Sequence, residues 1–265
     1  MFEIFSIPFL QKAIIAGALV GFLSSYFGVF VVQRGMGFLG SGLAHAAFGG
    51  VAIGLFLNQE PLMIALPFTI LIAIGITYVK EKTNLAEDTT IGIFFSVSMA
   101  LGIIFIALKK NYSSDAFNFL FGSILAVNNS DILITSLLSA ISILLFPFWK
   151  RWAYSSFDRE LAYTDKIKVV FDDYLLNIMI AITIVVSIKV VGIVLIAAFL
   201  VIPSASARLV SKKFSNMTIL SIILGITSAF FGLLFSYYLD IPSGATIILL
   251  QALIFFLFML IKKRK

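Results

Sequence analysis

The sequence contains no cysteine. That excludes disulfides, thiolate metal sites and cysteine nucleophiles, and leaves histidine, carboxylate, hydroxyl and backbone oxygen as metal ligands. It contains a single histidine, His45, so the paired histidines of a zinc hydrolase cannot be assembled within it. Charge is scarce: 12% of the 265 residues are charged, against 61% hydrophobic. Soluble domains carry about 25% charged and roughly 45–50% apolar residues, and half the usual charge cannot solvate a soluble fold of this size. Also absent are a Walker-type lysine loop and a serine nucleophile elbow, so nothing points to ATP hydrolysis or covalent catalysis by this chain.

What the sequence has is apolar length. Runs of about twenty residues recur, enough to cross a bilayer core of about 30 Å, and they are too unbroken for the alternation of a transmembrane barrel. The chain therefore reads as an all-α polytopic membrane protein, one transmembrane domain over 1–265 with about nine (eight to nine) transmembrane helices. The spans are expected at about 8–32, 39–57, 61–79, 89–108, 131–149, 174–189, 191–210, 216–238 and 242–261. The first run has no basic flank and continues too far for a signal peptide. Residues 189–192 form either a tight hairpin or a break in one helix. Residues 111–130 are too short to cross and are expected to include a half-helix packed inside the protein.

The net charge of +6 does not imply nucleic acid, because the basic residues stand at span ends, where they act as topology signals. Placing Lys262 to Lys265 in the cytoplasm puts Arg34, Lys80, Lys82, Lys150, Arg151, Arg159, Lys166, Lys168, Arg208, Lys212 and Lys213 on the same side. Only Lys12, Lys109, Lys110 and Lys189 fall outside, together with the N-terminus. Glu3, Glu60, Asp115, Asp131 and Asp240 fall outside too, a mildly acidic mouth for an arriving cation. The longest polar stretch, 150–173, is then cytoplasmic and reads as a solvated loop or as a short docking helix for a soluble partner.

His45 lies in a glycine-dense apolar segment between Gly35 and Gly54. An ionisable group inside a span is a functional-site hypothesis by default, and neutral imidazole is the commonest ligand of transition metals. Ser41, His45 and Gly49 recur every four residues on one helical face. Gly42, Ala46, Gly50 and Gly54 do so on the neighbouring stripe, the spacing that lets membrane helices approach closely. One stripe is expected to pack while the other presents Ser41 and His45 inward. Two readings of His45 stand, metal ligand or hydrogen-bond donor to a neighbouring helix, and Ser41 with His45 cannot complete a metal site alone. Pro203 frees backbone carbonyls within 191–210, with Ser204 and Ser206 as their expected partners. Asp240 or Ser243 is expected to cap the start of the last span.

Taken in order, several stretches resemble the membrane permease subunit of the zinc/manganese (metal ion) ABC importer family. They are Met36-Gly-Phe-Leu-Gly-Ser-Gly-Leu-Ala-His45-Ala-Ala-Phe-Gly-Gly50-Val-Ala52, Ile91 to Ser96 through Ala100 to Gly102, and Phe121 to Leu125. Later come Phe157-Asp158-Arg-Glu160-Leu-Ala162, Val191-Gly192 with the run to Pro203, and Pro242-Ser-Gly244-Ala-Thr-Ile247. Together they cover nearly the whole chain.

The resemblance implies the metal-type ABC importer permease fold, as a homodimer in the bilayer of the bacterial cytoplasmic membrane. Its partners would be two cytoplasmic ATP-binding-cassette ATPase subunits and an extracytoplasmic metal-binding protein. No cofactor would be held permanently: the partner uses the ATP and the cation is cargo. The loop with Asp158, Glu160 and Ala162 would hold the coupling helix that docks on the ATPase. The family's second span brings a histidine and an acidic residue to a metal site in the pathway. His45 carries over, but position 41 is serine. A neutral ligand forgoes Coulomb attraction of about several kcal/mol at short range, which suits a waypoint that an ion must leave again. It also favours zinc, which takes imidazole, over manganese, which prefers carboxylate oxygen.

The expectation is a zinc importer permease working by alternating access, with Gly42, Gly50, Pro203 and Asp240 as structural or gating positions. A manganese or iron importer permease is the alternative. A metal-chelate or cobalamin-type permease, or an ATPase-independent ion channel, is more remote.

Overall fold

The computed structural model describes residues 8–83, 85–109, 119–120, 122 and 127–263. Among the described residues the regular elements are α1 (Pro8–Gln33), α2 (Gly37–Phe56), α3 (Pro61–Lys82), α4 (Glu87–Leu108), α5 (Asn129–Leu144) and α6 (Phe146–Phe157). They continue with α7 (Arg159–Thr164), α8 (Val169–Val191), α9 (Ile193–Val210), α10 (Phe214–Leu239) and α11 (Ser243–Lys263). Eight of these helices are long and apolar enough to cross a membrane, and α5 with α6 makes a ninth only if that pair is one span.

That pair corrects the span expected at 131–149. The chain bends by 68° between α5 and α6, with Pro147 in the first turn of the new helix, where a missing N–H costs nothing. At 16 residues α5 is only about 24 Å long. Most of the half-helix expected at 111–130 lies outside the described residues, but Phe119 and Leu120 pack on the core.

Two turns fix the geometry that matters below. Between α1 and α2 the chain closes with Met36 N–H bonded to the Val31 carbonyl at 2.9 Å and Gly35 N–H to that of Val32 at 3.4 Å. This Schellman end requires the left-handed conformation that Gly35 adopts, with φ of 73°. It leaves Arg34 locked at the end of α1, three residues before α2. Between α8 and α9 the single residue Gly192 turns the chain with φ of 89°. The two helices run in opposite directions: Asp173 in the second turn of α8 and Arg208 in the last turn of α9 both meet the end of α1, through Arg34 and the Val32 carbonyl respectively. Residues 189–192 are therefore a hairpin, and a Cβ on Gly122 would stand 2.7 Å from the Gly192 nitrogen.

The core lies among α1, α2, α8 and α9. α2 is clasped by α3 and α4, α1 packs on α10 and α9, and α9, α10 and α11 pack together on one side. The small residues of α2 serve those contacts. A Cβ on Gly42 would meet Ile91 of α4 at 2.2 Å, and one on Gly50 would meet the Ala65 backbone of α3 at 2.6 Å. Pro203 is buried inside an unbroken α9. Ser206 donates to the Ile202 carbonyl, while Ser204 reaches the Leu200 carbonyl of its own helix and the Ser25 carbonyl of α1, each at 3.4 Å, and meets the Ser221 hydroxyl of α10 at 2.8 Å. Asp240 ends α10 in the left-handed conformation instead of starting α11.

Candidate functional site

His45 lies about midway along α2. Its Nδ1 is 2.9 Å from the carbonyl oxygen of Ser41, one turn earlier. A carbonyl only accepts, so Nδ1 carries the proton, and a neutral ring then keeps its lone pair on Nε2. Backbone fixation of one ring nitrogen is the arrangement by which metal-binding histidines are oriented. The ring lies edge-on to Phe95 of α4, 4.9 Å between centroids, and Phe95 also meets Phe38 at 6.0 Å.

The structure thus joins Ser41 to His45, but through the serine carbonyl. Gly49, on the same stripe, is buried against the Ser98 carbonyl of α4. The sequence suggested that Ser41 and His45 face inward; neither is enclosed by the rest of the chain. Both are half-buried, on the only partly open stripe of α2 with the exposed Phe38. Among the described residues no cluster of three or more His, Asp or Glu could hold a metal ion, so within one chain His45 offers a single imidazole nitrogen.

The end of the molecule expected to be cytoplasmic is a closed set of ion pairs. Asp173 takes Arg34 on one oxygen at 2.6 Å and Arg159 on the other at 2.7 Å. Arg159 also reaches Glu81 of α3. Arg151 of α6 grips both oxygens of Asp172, at 2.9 and 3.1 Å, and Lys80 meets Glu87 at 2.8 Å. Burial pulls the Arg159 pKa down, but Asp173, Tyr163 and Glu81 together carry it above the ordinary arginine value. The stretch 150–173 is therefore not a solvated loop: it holds most of α6, all of α7, and two buried aspartates in the first turns of α8.

The three residues assigned to coupling separate by role. Asp158 caps α7, accepting from the Leu161 N–H at 2.9 Å, which stabilises a helix start. Ala162 is fully buried. Only Glu160 stands exposed with no partner among the described residues. Around it Phe157, Leu161 and Tyr163 form an exposed apolar face that the sequence reading missed; three large apolar residues interleaved with charge in a polar stretch were its available signal.

At the opposite end Lys189 binds Asp131 at 3.0 Å and approaches Glu60 at 3.8 Å. These three line a cavity of about 560 Å³. Asp131 also shares a capping box with Asn128 at the start of α5. Two of the carboxylates expected to form an acidic mouth are thus neutralised locally, while Glu3 and Asp115 lie outside the described residues. Lys109 donates to the Leu55 carbonyl at 2.8 Å and closes the C-terminal end of α2.

Comparison with known proteins finds that residues 6–262 match the model of the ABC 3 transport family. The chain is 38% identical to the manganese transport system membrane protein MntC of Listeria monocytogenes over 250 residues, 94% of this chain and 89% of that protein. It is 31% identical to the high-affinity zinc uptake system membrane protein ZnuB of Haemophilus influenzae over the full length of both. Its structure is similar to that of PsaBC from Streptococcus pneumoniae in complex with Fab, with a TM-score of 0.83, 37% identity, and 94% and 90% of the two chains covered.

Proposed function

The chain belongs to the ABC 3 transport family, and from that premise we propose that it moves zinc inward by alternating access, with His45 in the cation path. At the coarser level it is a membrane permease subunit of a bacterial metal importer, a multi-pass protein of the plasma membrane. It is not itself an enzyme; the ATPase is a separate partner.

The observation that carries the reading is the state of His45. Its Nδ1 is occupied, its Nε2 is open, and it lies on a partly open stripe of an otherwise buried helix. A bare imidazole facing lipid is unfavourable. A second copy of the chain laid against Phe38, Ser41 and His45 removes that cost and supplies a second imidazole across the dimer axis. Backbone oxygen and water complete a transient zinc shell. One or two imidazoles without carboxylate favour zinc over manganese. Manganese is the second reading, favoured by the manganese-named relatives at 37–38% identity.

Coupling belongs to α7. Glu160 with Phe157, Leu161 and Tyr163 forms the contact with the ATP-binding-cassette subunit, and Asp158 and Ala162 shape the helix that presents them. An extracytoplasmic metal-binding protein delivers the ion at the Lys189 end.

The test is uptake of zinc and of manganese by the reconstituted permease, ATPase and binding protein. Zinc-selective uptake that His45→Ala abolishes in an assembled complex is expected. Uptake of either metal that survives the substitution returns His45 to a packing role, and manganese-selective uptake lost in the variant keeps the path but changes the cargo. A Glu160→Lys, Leu161→Ser double variant is expected to lose ATPase association, read by co-purification; undiminished association removes α7 from the docking face.

A further inference from the structure

Every donor nitrogen of Arg34 is occupied. Nε donates to Ser156 Oγ at 2.8 Å, Nη1 to Asp173 at 2.6 Å, and Nη2 to Ser155 Oγ at 3.2 Å. The far oxygen of Asp173 accepts from Arg159 at 2.7 Å, and the second fork of Arg159 reaches Glu81. Arg159 is the first residue of α7, Asp173 lies in the second turn of α8, and Arg34 is locked into the turn that begins α2. A continuous row of charged hydrogen bonds thus leads from α7 to the foot of the helix carrying His45, with a branch to the end of α3.

Stability alone does not explain this row. The side chains of Arg34 and Asp173 are 9% and 3% exposed. Burying such a pair costs about as much desolvation as its attraction returns, and apolar residues of the same volume do as well. What charged forks supply and apolar contacts do not is direction. A planar guanidinium fixes the angle and distance of each carboxylate it holds. Asp173 is shared, so neither arginine can shift without drawing on the other. Ser155 and Ser156, the one buried and the other half-buried, leave Arg34 no alternative position without losing bonds.

We propose that Arg159, Asp173 and Arg34 form a transmission row that carries displacement of α7 to the start of α2, making them positioning residues for metal translocation. The proposal rests on the reading that α7 docks on the ATPase. Movement of α7 pulls Asp173 through Arg159, and Asp173 pulls the α1–α2 turn through Arg34. Only two turns of α2 separate that turn from His45. The row touches no metal; its role is to set when the His45 stripe faces each side. The neighbouring pair Arg151–Asp172 provides a built-in control. Its aspartate is fully buried, and it ties α6 to α8 with no hydrogen bond or ion pair from Arg151 or Asp172 to Arg159 or Arg34 among the described residues.

The test uses the reconstituted complex with whichever of zinc or manganese the wild type carries. The quantity measured is metal transported per ATP hydrolysed, alongside thermal unfolding of each variant. Because the chain has no cysteine, Thr164→Cys, at the exposed end of α7, gives the chain a unique cross-linking site that reports whether α7 lies on the ATPase. Arg159→Gln and Arg34→Gln are expected to keep that cross-link and basal ATP hydrolysis while metal per ATP falls by about fivefold or more, the lower range of measured site-to-site coupling. Arg151→Gln is expected to lower thermal stability comparably and leave the ratio unchanged. Should Arg34→Gln not assemble, Arg159→Lys keeps the charge but cannot serve Asp173 and Glu81 from one fork, and the same fall is expected. An unchanged ratio in the Arg159 variants overturns the row, as does an equal fall in Arg151→Gln that tracks stability. Absence of the cross-link in the otherwise wild-type complex removes the docking reading and the row together, whereas a cross-link with an unchanged ratio removes the row alone.

Discussion

At one end of the molecule Arg34 and Asp173 meet with almost no water, and Arg159, Glu81, Arg151 and Asp172 extend the pairing across α1, α3, α6, α7 and α8. At the other end one lysine, Lys189, reaches Asp131, both part-buried at 16% and 17% exposure, and a Glu60 whose side chain is 59% exposed. Both ends pair opposite charges, but the consequences differ. Removing one partner from a buried pair strands a charge in a low-dielectric setting, whereas a part-buried pair beside a cavity that admits water is resolvated at smaller loss. The helices are therefore fastened by a network of several pairs where the basic residues collect, and by a single lysine where the cation is proposed to arrive. A transporter that must open to one side at a time is well served by such an asymmetry, because loosening the outer end requires little free energy.

The largest effect that would break this contrast is expected from Arg34→Gln. It removes the charge facing Asp173 and weakens bonds to Ser155 and Ser156. Asp173 keeps Arg159, so the loss is expected near the lower bound for broken buried pairs, about 3 kcal/mol, read by denaturant or thermal unfolding in detergent. A loss below about 1 kcal/mol would mean that water reaches the pair and that the two ends are alike.

Next in size comes the middle of the molecule, where glycine does the fastening. A Cβ on Gly28 of α1 would stand 2.0 Å from the Leu200 carbonyl of α9 and 2.6 Å from the Ser204 hydroxyl. Gly28→Ala is expected to force the helices apart at about 1–3 kcal/mol. Unfolding at the wild-type midpoint would show that α1 and α9 are free to slide, and that the firm body ends at the charged network.

The sequence made the helices legible because length and hydropathy alone decide whether a segment spans a bilayer. The basic asymmetry sorted Arg34, Arg151, Arg159 and Arg208 onto one end, and the bonds they make agree. Gly42 and Gly50 were legible as packing residues because a helical stripe of small side chains has few other uses in a membrane. Local conformation was harder. The bend at Leu145 hides in an apolar run whose hydropathy does not change there, and Asp240 looked like a helix start when its left-handed backbone makes it a helix end. Asp172 and Asp173 were least legible. Polarity placed them in a loop, because only the long-range approach of arginines 14 to 139 residues away makes their burial possible. For His45 the ring's orientation needed the structure. The serine at position 41 drew attention as a weak ligand, yet its carbonyl is the group that holds the ring.

The smallest effect, and the sharpest test of the contrast, is expected from Lys189→Gln. Asp131 does not lose its only partner when the lysine charge goes, because its other oxygen accepts from the Asn128 N–H at 2.9 Å within the capping box. Glu60 returns to water it already touches, and the adjoining cavity of about 560 Å³ has room for water at the vacated position. Lys189 and Asp131 are part-buried, so the loss is expected at about 1 kcal/mol, the upper end of the range for surface pairs. Salt separates the two ends further. Raising ionic strength to about 1 M shortens the screening length to roughly 3 Å, so the gap between wild type and Lys189→Gln is expected to close, while the gap for Arg34→Gln persists because ions do not reach a buried pair. A Lys189→Gln deficit as large as that of Arg34→Gln and insensitive to salt would make the outer end as firmly fastened as the inner one. Opening it would then require energy delivered through the whole body, not released locally.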